Sequence, residues 1–321
     1  MSGWTPAAPG TKGRDCGFVL ICVLWVLAIL TVVSIGLHQR ALLDARAATY
    51  SMDYVKAMLM ARGAVQRGIV ELRNKEIIDW YNREEGGTGL GQAWAHPVDM
   101  LVEGIYYSLG DSEEFGEEIS RYTIEDEERR ISLNAANERL LENVEGLRGS
   151  QVRKIIRRRS HGTRREEEPQ RFQTIEELRY MFRTIDDEDW FGDEERPGLK
   201  DVLTCWGSGL VNINTASPYV LQCIPDLRSG AVNAILNYRV GADGELGTED
   251  DLAFGSLDEV AERANLIGKP IETLKRYCTT YSQFFTITGV ATLRQGKVRA
   301  CCKATVRGAH VLQWREEPIG S

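Results

Sequence analysis

The chain has 321 residues, with 39 Lys plus Arg against 47 Asp plus Glu, a formal net charge of −8. At 43 % hydrophobic and 27 % charged it is ordinary globular composition, which excludes a disordered chain, a collagen-like chain and a polytopic membrane protein. The acidic balance argues against a nucleic-acid carrier, and four His without a Cys-x-x-Cys argue against a structural zinc protein.

Phe18 to Leu37 is a run of 20 residues without a charge or a proline. At about 1.5 Å per residue it is long enough to cross a hydrocarbon core of ~30 Å. Lys12 and Arg14 precede it, which favours a cytoplasmic N-terminus and places the bulk of the chain across the membrane. Secretory cleavage near Ser34-Ile35-Gly36 is the rival reading, but a signal peptide's apolar core is usually only ~7–15 residues.

Helical character continues past the membrane run. From His38 to Trp80 there is no Pro, and good helix formers dominate. Apolar residues recur at helical spacing at Leu42, Ala45, Met52, Val55, Met58, Leu59, Val65, Ile69 and Leu72, with Arg62 interrupting the stripe. This stem needs an apolar partner, most simply a sheet.

Gly17 stands immediately before the apolar run, after a short polar leader. Gly followed by Phe at this place resembles the type IV prepilin class of leader. The resemblance implies cutting after Gly17 by a membrane-embedded aspartic peptidase and N-methylation of Phe18. Most members carry Glu at the fifth mature position, where this chain has Cys22. A carboxylate there costs roughly 2.5–3.5 kcal/mol on insertion scales unless paired. A subunit without it need not pair with a neighbour's N-terminal amine, as expected at a filament end.

Two strand-like segments follow, Gly104–Leu109 and Glu118–Glu125, by alternation and β-branched or aromatic content. The middle of the chain is then duplicated. Residues 131–159 align without a gap on a second copy 80 residues later, with identities at Asn134/Asn214, Ala136/Ala216, Leu141/Leu221, Val152/Val232, Ile155/Ile235 and Arg159/Arg239. Each copy reads as helix, break, helix. The Asn or Thr of the Asn-x-Ala starts is expected to cap free amides, and Thr215 with Pro218 to open the second copy's first helix. Ser256-x-x-Glu259 reads as a capping box. The layout looks like a helix-hairpin-helix module, many of which point backbone amides at phosphate. Here Asp226 takes a place where the binding version has Gly. The basic run from Arg153 to Arg165 is answered at once by Glu166–Glu168, so nucleic-acid binding is disfavoured.

Within the second copy, Gly241–Asp251 is rich in hard oxygen ligands. Asp243, Glu245, Glu249, Asp250 and Asp251 put five carboxylates within nine residues, and Gly241, Gly244 and Gly247 permit tight turns. Calcium takes 6–8 such oxygens. The spacing is not an EF-hand, and the expectation is a structural calcium clip at these five residues. Near the C-terminus, Phe284–Ala291, Lys297–Val306 and His310–Arg315 read as an antiparallel meander, with Arg294-Gln295-Gly296 as a hairpin turn. Among the cysteines beyond the membrane run, Cys205, Cys223, Cys278, Cys301 and Cys302, adjacent Cys301 and Cys302 face opposite sides of a strand, and connectivity is open.

This order of parts resembles the K-type minor pseudopilin family of the bacterial type II secretion system. The resemblance covers nearly the whole chain and is most specific at Trp206-Gly-Ser-Gly and Asn212-Ile-Asn-Thr-Ala, supported by Phe254-x-Ser-x-Asp-Glu and the terminal Gln-Trp-Arg-Glu. It implies an α+β fold: a long transmembrane and stem helix packed on an antiparallel pseudopilin sheet, with a large all-α insertion. The expected layout is a leader over 1–17, the helix over 18–80, sheet segments over 81–128 and 283–321, and the insertion over 129–282 with repeats near 131–181 and 211–265. It further implies calcium in the insertion and a place at the pseudopilus tip with the I-type and J-type minor pseudopilins. The major pseudopilin, the prepilin peptidase and the inner-membrane secretion platform are implied as partners too. Localisation is then single-pass inner membrane, with the bulk periplasmic. Three departures stand out: a longer leader than most pilins have, Asp15 near the cut, and the cysteines beyond the membrane.

No catalytic constellation is legible. The His residues are scattered, and no Gly-x-Ser-x-Gly elbow occurs, so no enzymatic activity is expected. The alternatives are a membrane-anchored DNA receptor for uptake, which the damaged hairpin disfavours, and a tip subunit of a type IV pilus.

Overall fold

The computed structural model describes residues 15–81, 87–96, 100–102, 105–108, 118–161, 169–194, 196–293 and 297–317. Expectations placed on Lys12, Arg14, Arg164 to Glu168 and the turn at 294–296 lie outside these residues. By its contacts the chain divides into two units, residues 1–56 and 57–321.

In the first unit the described residues, from Asp15 on, are helical. Helix α1 (Asp15–Tyr81) begins in it, and its apolar residues from Phe18 to Leu37 are exposed. The helix is long and apolar enough over Phe18–Glu76 to cross a membrane. Over Phe18–Leu37 the helix holds neither Pro nor charge and its apolar side chains are exposed, which is the surface a bilayer would cover.

The second unit starts at Ala57, where α1 becomes a packed stem. Its buried face is built from Ala57, Met58, Met60, Ala61, Ala64, Val65, Gly68, Ile69 and Leu72, with small residues at the closest approaches to the sheet. The stripe read from sequence holds at Met58, Val65, Ile69 and Leu72, all buried, and is corrected at Leu42, Ala45, Met52, Val55 and Leu59, which are exposed. Small residues win because the sheet comes close. A Cβ on Gly289 would stand 2.4 Å from the Ala61 carbonyl oxygen, and one on Gly68 would meet Ile287 at 2.6 Å. Ser120 Oγ donates to the Met60 carbonyl at 3.0 Å from the same sheet. Arg62 leaves the stripe to pair with Glu316 at 2.7 Å.

That sheet has six strands. They are β1 (Met100–Val102), β2 (Ile105–Ser108), β3 (Glu118–Asp126), β8 (Phe284–Leu293), β9 (Val298–Arg307) and β10 (His310–Glu317), hydrogen-bonded in that order. The three last strands form the expected meander, and β3 pairs antiparallel with β8 from Glu118↔Leu293 to Asp126↔Phe285. One pair departs from an antiparallel sheet: β2 runs parallel to β3. Alternation identifies a strand but carries no information on its partner's direction. Along β8, burial alternates residue by residue, with Phe285, Ile287, Gly289, Ala291 and Leu293 buried.

Between β3 and β8 lies the duplicated body. The first copy holds β4 (Ile131–Ser132), α2 (Glu138–Glu142), α3 (Gly149–His161), α4 (Glu176–Met181), α5 (Asp187–Phe191), α6 (Leu199–Val202) and β5 (Leu203–Thr204). The second holds β6 (Val211–Asn212), α7 (Pro218–Gln222), α8 (Ser229–Arg239), α9 (Leu257–Arg263), α10 (Lys269–Tyr277) and β7 (Cys278–Thr279). Both copies share one apolar core, in which Leu141, Val152 and Ile155 and their counterparts Leu221, Val232 and Ile235 are all buried. The body is not purely helical: β4 pairs with β5, and β6 with β7, each in parallel.

Candidate functional site

Each copy is closed by the same side chains. Asn134 accepts from the Phe172 amide at 2.8 Å and donates to the carbonyls of Phe172 and Cys205 at 2.8 and 2.7 Å. Asn214 accepts from the Phe254 amide at 2.8 Å and donates to the carbonyls of Phe254 and Thr280 at 3.0 and 3.2 Å. Arg159 donates to the Leu133 carbonyl, and Arg239 to that of Ala216 at 2.6 Å. The repeated Asn therefore ties the start of its copy to the third helix and to the returning strand. It is not a helix cap. The caps are Asn137 on α2 and Ser217 on α7, and Ser256 caps α9 with Glu259 reaching back to the Gly255 amide at 2.9 Å. Thr215, expected as a cap, donates instead to Asp126 at 2.5 Å.

The hairpins between first and second helices are equivalent in backbone. Gly146 has φ +85°, and Asp226, 80 residues on, has φ +61°. A left-handed residue is required here, and Asp is tolerated better than most side chains. Its carboxylate pairs with Lys269 Nζ at 3.2 Å. Phosphate-binding hairpins offer amides at this place, and this one presents a neutralised acid. The basic run on α3 is split: Arg158 pairs with Glu177 and stacks 4.3 Å from the Phe172 ring, and Arg159 turns inward, while Arg153, Lys154 and Arg157 are exposed.

The carboxylate loop wraps on itself. Gly241, Gly244 and Gly247 are left-handed, at φ +60°, +76° and +93°. Asp250 Oδ2 accepts from the amides of Ala242 and Asp243 at 2.7 and 3.1 Å, and Oδ1 from Thr248 Oγ1 at 2.7 Å. The Thr248 hydroxyl and these amides hold the Asp250 carboxyl down at about 2. Asp243 accepts from the Glu245 amide, and Asp251 Oδ2 from the Gly247 amide at 2.7 Å. Glu245 and Glu249 are exposed. Among the described residues no group of three or more His, Cys, Asp or Glu is gathered as a metal cage. One atom nevertheless suits a cation: Asp251 Oδ1 is buried without a hydrogen-bond partner. Buried Arg239, whose Nε is likewise without a partner, lies near enough for Asp251 to act on its charge, while burial lowers its pKa to about 10. Hard oxygens are the donor type calcium takes, but here they are not gathered about one point, and the charge beside Asp251 is the Arg239 guanidinium.

The sequence did not reveal a third feature. At the end of β3, Asp126, Glu127 and Glu128 are all buried. Asp126 accepts from Ser282 Oγ at 2.6 Å, Thr215 Oγ1, Asn212 Nδ2 at 3.2 Å and the Glu128 amide at 2.8 Å. Glu127 accepts from Thr204 and Thr286, and Glu128 from Ser208 and the Gln283 amide. Three consecutive acids thus fasten the sheet to both copies of the body. Burial pushes the Asp126 carboxyl up to about 6, against the pull of the Ser282 and Thr215 hydroxyls. Three acids ending a strand were visible in the sequence. Their partners, 70 or more residues away, were not.

Of the processing pair, Gly17 lies within α1 and Phe18 is exposed on it. The described cysteines, Cys22, Cys205, Cys223, Cys278, Cys301 and Cys302, are free thiols, all but Cys22 buried.

A long apolar helix whose stem lies on a sheet is the arrangement of a pseudopilin-like fold. A chain of the crystal structure of the GspK–GspI–GspJ complex from the enterotoxigenic Escherichia coli type 2 secretion system shares it. The match covers 84 % of this chain and 99 % of that one, with a TM-score of 0.53 and 14 % sequence identity. At this identity the likeness is one of fold. No protein-family model and no curated protein matches the chain.

Proposed function

We propose that the chain is a minor pseudopilin of a type II secretion system, acting at the tip of the pseudopilus to start assembly and cap the fibre. The observation that carries this reading is the insertion of a two-copy helical body between β3 and β8, in a chain 84 % of which shares the fold of a chain of the GspK–GspI–GspJ complex. On this reading the leader is cut after Gly17, Phe18 becomes the N-methylated first residue, and α1 anchors the protein in the inner membrane with its bulk in the periplasm. Its partners are the I-type and J-type minor pseudopilins, then the major pseudopilin beneath them and the secretion platform at the membrane. The body blocks subunit addition above it. No residue is assigned a catalytic role.

Calcium belongs to the same proposal. Asp243, Asp250 and Asp251 would hold it, with Glu245 and Glu249 free to swing in, and it would act as a structural clip. Charge neutralisation is what it supplies to a loop of five carboxylates. Co-expression of the full chain with the I-type and J-type minor pseudopilins of its own host tests the partner reading. A stable complex of all three in detergent is expected, and a chain that elutes alone contradicts it.

A further inference from the structure

One face of the sheet lies against the stem. The opposite face carries Phe284, Thr286, Lys303, Thr305 and Arg307, and it looks toward the first copy of the helical body without closing on it. Two adjoining cavities of about 230 and 380 Å³ remain between them, sharing Gln173, Cys205 and Trp206 in their walls. Body and sheet are bridged at the first cavity by Glu127, which accepts from both Thr204 and Thr286, and by Arg315 Nη2, which donates to the Gln173 carbonyl at 3.0 Å.

The lining is cationic on an acidic protein. Arg130, Lys200, Lys303 and Arg315 line the first cavity, and Arg171 and Arg307 the second. Glu127 and Glu176 oppose them within the walls, and just outside the walls Glu125 pairs with Arg130 at 2.8 Å and Glu317 with Lys303 at 3.2 Å, so the charge left for a ligand is that of Arg171, Lys200, Arg307 and Arg315 on a chain that carries −8. Arg171 and Lys200 are exposed at the rim. Apolar surface is interleaved: Phe172, Trp206, Phe284 and Leu312 border the second cavity. The slot also runs beside β10, the last strand of the sheet order, whose Leu312, Gln313 and Arg315 contribute to its walls. Beside a sheet edge, an extended polypeptide matches strand geometry at about 3.3 Å per residue, with alternate side chains turned inward.

We propose that this slot docks an extended, acidic segment of a partner protein along β10, its carboxylates meeting Arg171, Lys200 and Arg315 and its apolar residues meeting Trp206. Complementary charge would orient and select that segment. A single-stranded nucleic acid shares the anionic and stacking chemistry, but Glu176 in the wall and the strand edge alongside favour polypeptide.

The test uses the full chain in detergent micelles at 0.15 M salt and a fluorescein-labelled decapeptide of alternating Glu and Thr. Fluorescence anisotropy reads binding. Binding is expected for this peptide and not for its Lys-Thr counterpart. The double variant Arg171→Glu, Lys200→Glu changes two exposed residues and is expected to keep the fold by circular dichroism while weakening binding at least tenfold. The control Arg153→Glu, Arg157→Glu, on α3, is expected to change it less than twofold. Absence of binding, equal losses in the two double variants, or displacement of the peptide by oligothymidylate of the same length at lower concentration would each overturn the proposal.

Discussion

Asp126 shows what a single residue does in this fold. It is fully buried among three donors from two segments of the chain, Asn212 and Thr215 in one and Ser282 in the other. Burial raises its pKa from the ordinary aspartate value of 3.8 to about 6. Between those values the folded state holds the proton more tightly than the unfolded state. Stability contributed by protonated Asp126 is therefore present below about pH 4 and lost as pH rises through about 6. Asp126→Asn is expected to remove this component. The difference between wild type and variant urea midpoints should change from pH 4 to pH 7 by the equivalent of roughly 2–3 kcal/mol, given about 1.4 kcal/mol per pKa unit. A pH-independent difference contradicts the burial account. Asp226 poses a simpler question, because its φ of +61° suits Gly. Asp226→Gly relieves backbone strain at the expense of the Lys269 pair, whereas Asp226→Ala loses the pair and keeps the strain. The Gly variant is expected to be about 1 kcal/mol more stable than the Ala variant in chemical denaturation. Equal stabilities would mean the hairpin relaxes out of the left-handed region.

Among the elements, the segment 87–96 binds the carboxylate loop to the sheet. Gly87 and Thr88 donate amides to the carbonyls of Phe254 and Thr280 at 3.1 and 2.8 Å. Gly91 passes so close that a Cβ there would stand 2.3 Å from the Asp251 carbonyl oxygen. Trp94 packs edge-on against Phe285 of β8, with ring centroids 5.2 Å apart. Gly91→Ala must displace backbone and is expected to cost about 1–3 kcal/mol, the range for overpacking. A thermal midpoint unchanged from wild type would show the segment yielding freely. The loop itself is probed with calcium. At a free concentration 100 times its Kd, calcium should add about 2.7 kcal/mol to the stability of the chelator-treated protein. Asp251→Asn removes a charge beside the orphaned oxygen and is expected to abolish most of that gain. A gain of the same size in the variant would place the ion elsewhere.

Some of these elements were legible in the sequence and others were not, for definite reasons. The meander and β3 were readable because alternation is a local signal, as Phe285, Ile287, Gly289 and Ala291 demonstrate. The duplication was readable because Asn134/Asn214 and Arg159/Arg239 recur at one offset, but their task was misread. Local propensity suggests capping for Asn, and only the returning chain 38–71 residues away shows that Asn134 bridges to Phe172 and Cys205. The two-residue strands are invisible for the same reason. Ile131-Ser132 is a strand only because Leu203-Thr204 comes beside it. The parallel β2–β3 pair and the acid junction at Asp126–Glu128 are likewise products of long-range assembly. On the stem, small residues outrank large ones wherever backbones approach closely, as Ala61 does opposite Gly289.

For the whole molecule, the central claim is that an exposed apolar helix, a stem on a sheet and an inserted body make a subunit of a secretion pseudopilus. Fold similarity at 14 % identity supports the architecture, and the function rests on how the chain is processed and where it assembles. The Gly17-Phe18 junction joins the two questions. Prepilin-type cutting keeps the apolar helix on the protein, and signal-type cutting removes it. The most direct measurement is mass spectrometry of the N-terminus of the membrane-extracted protein from its native host. The account predicts a mature chain that starts at Phe18 and carries an N-methyl group. An uncut leader, or a chain starting near Leu37, would contradict it.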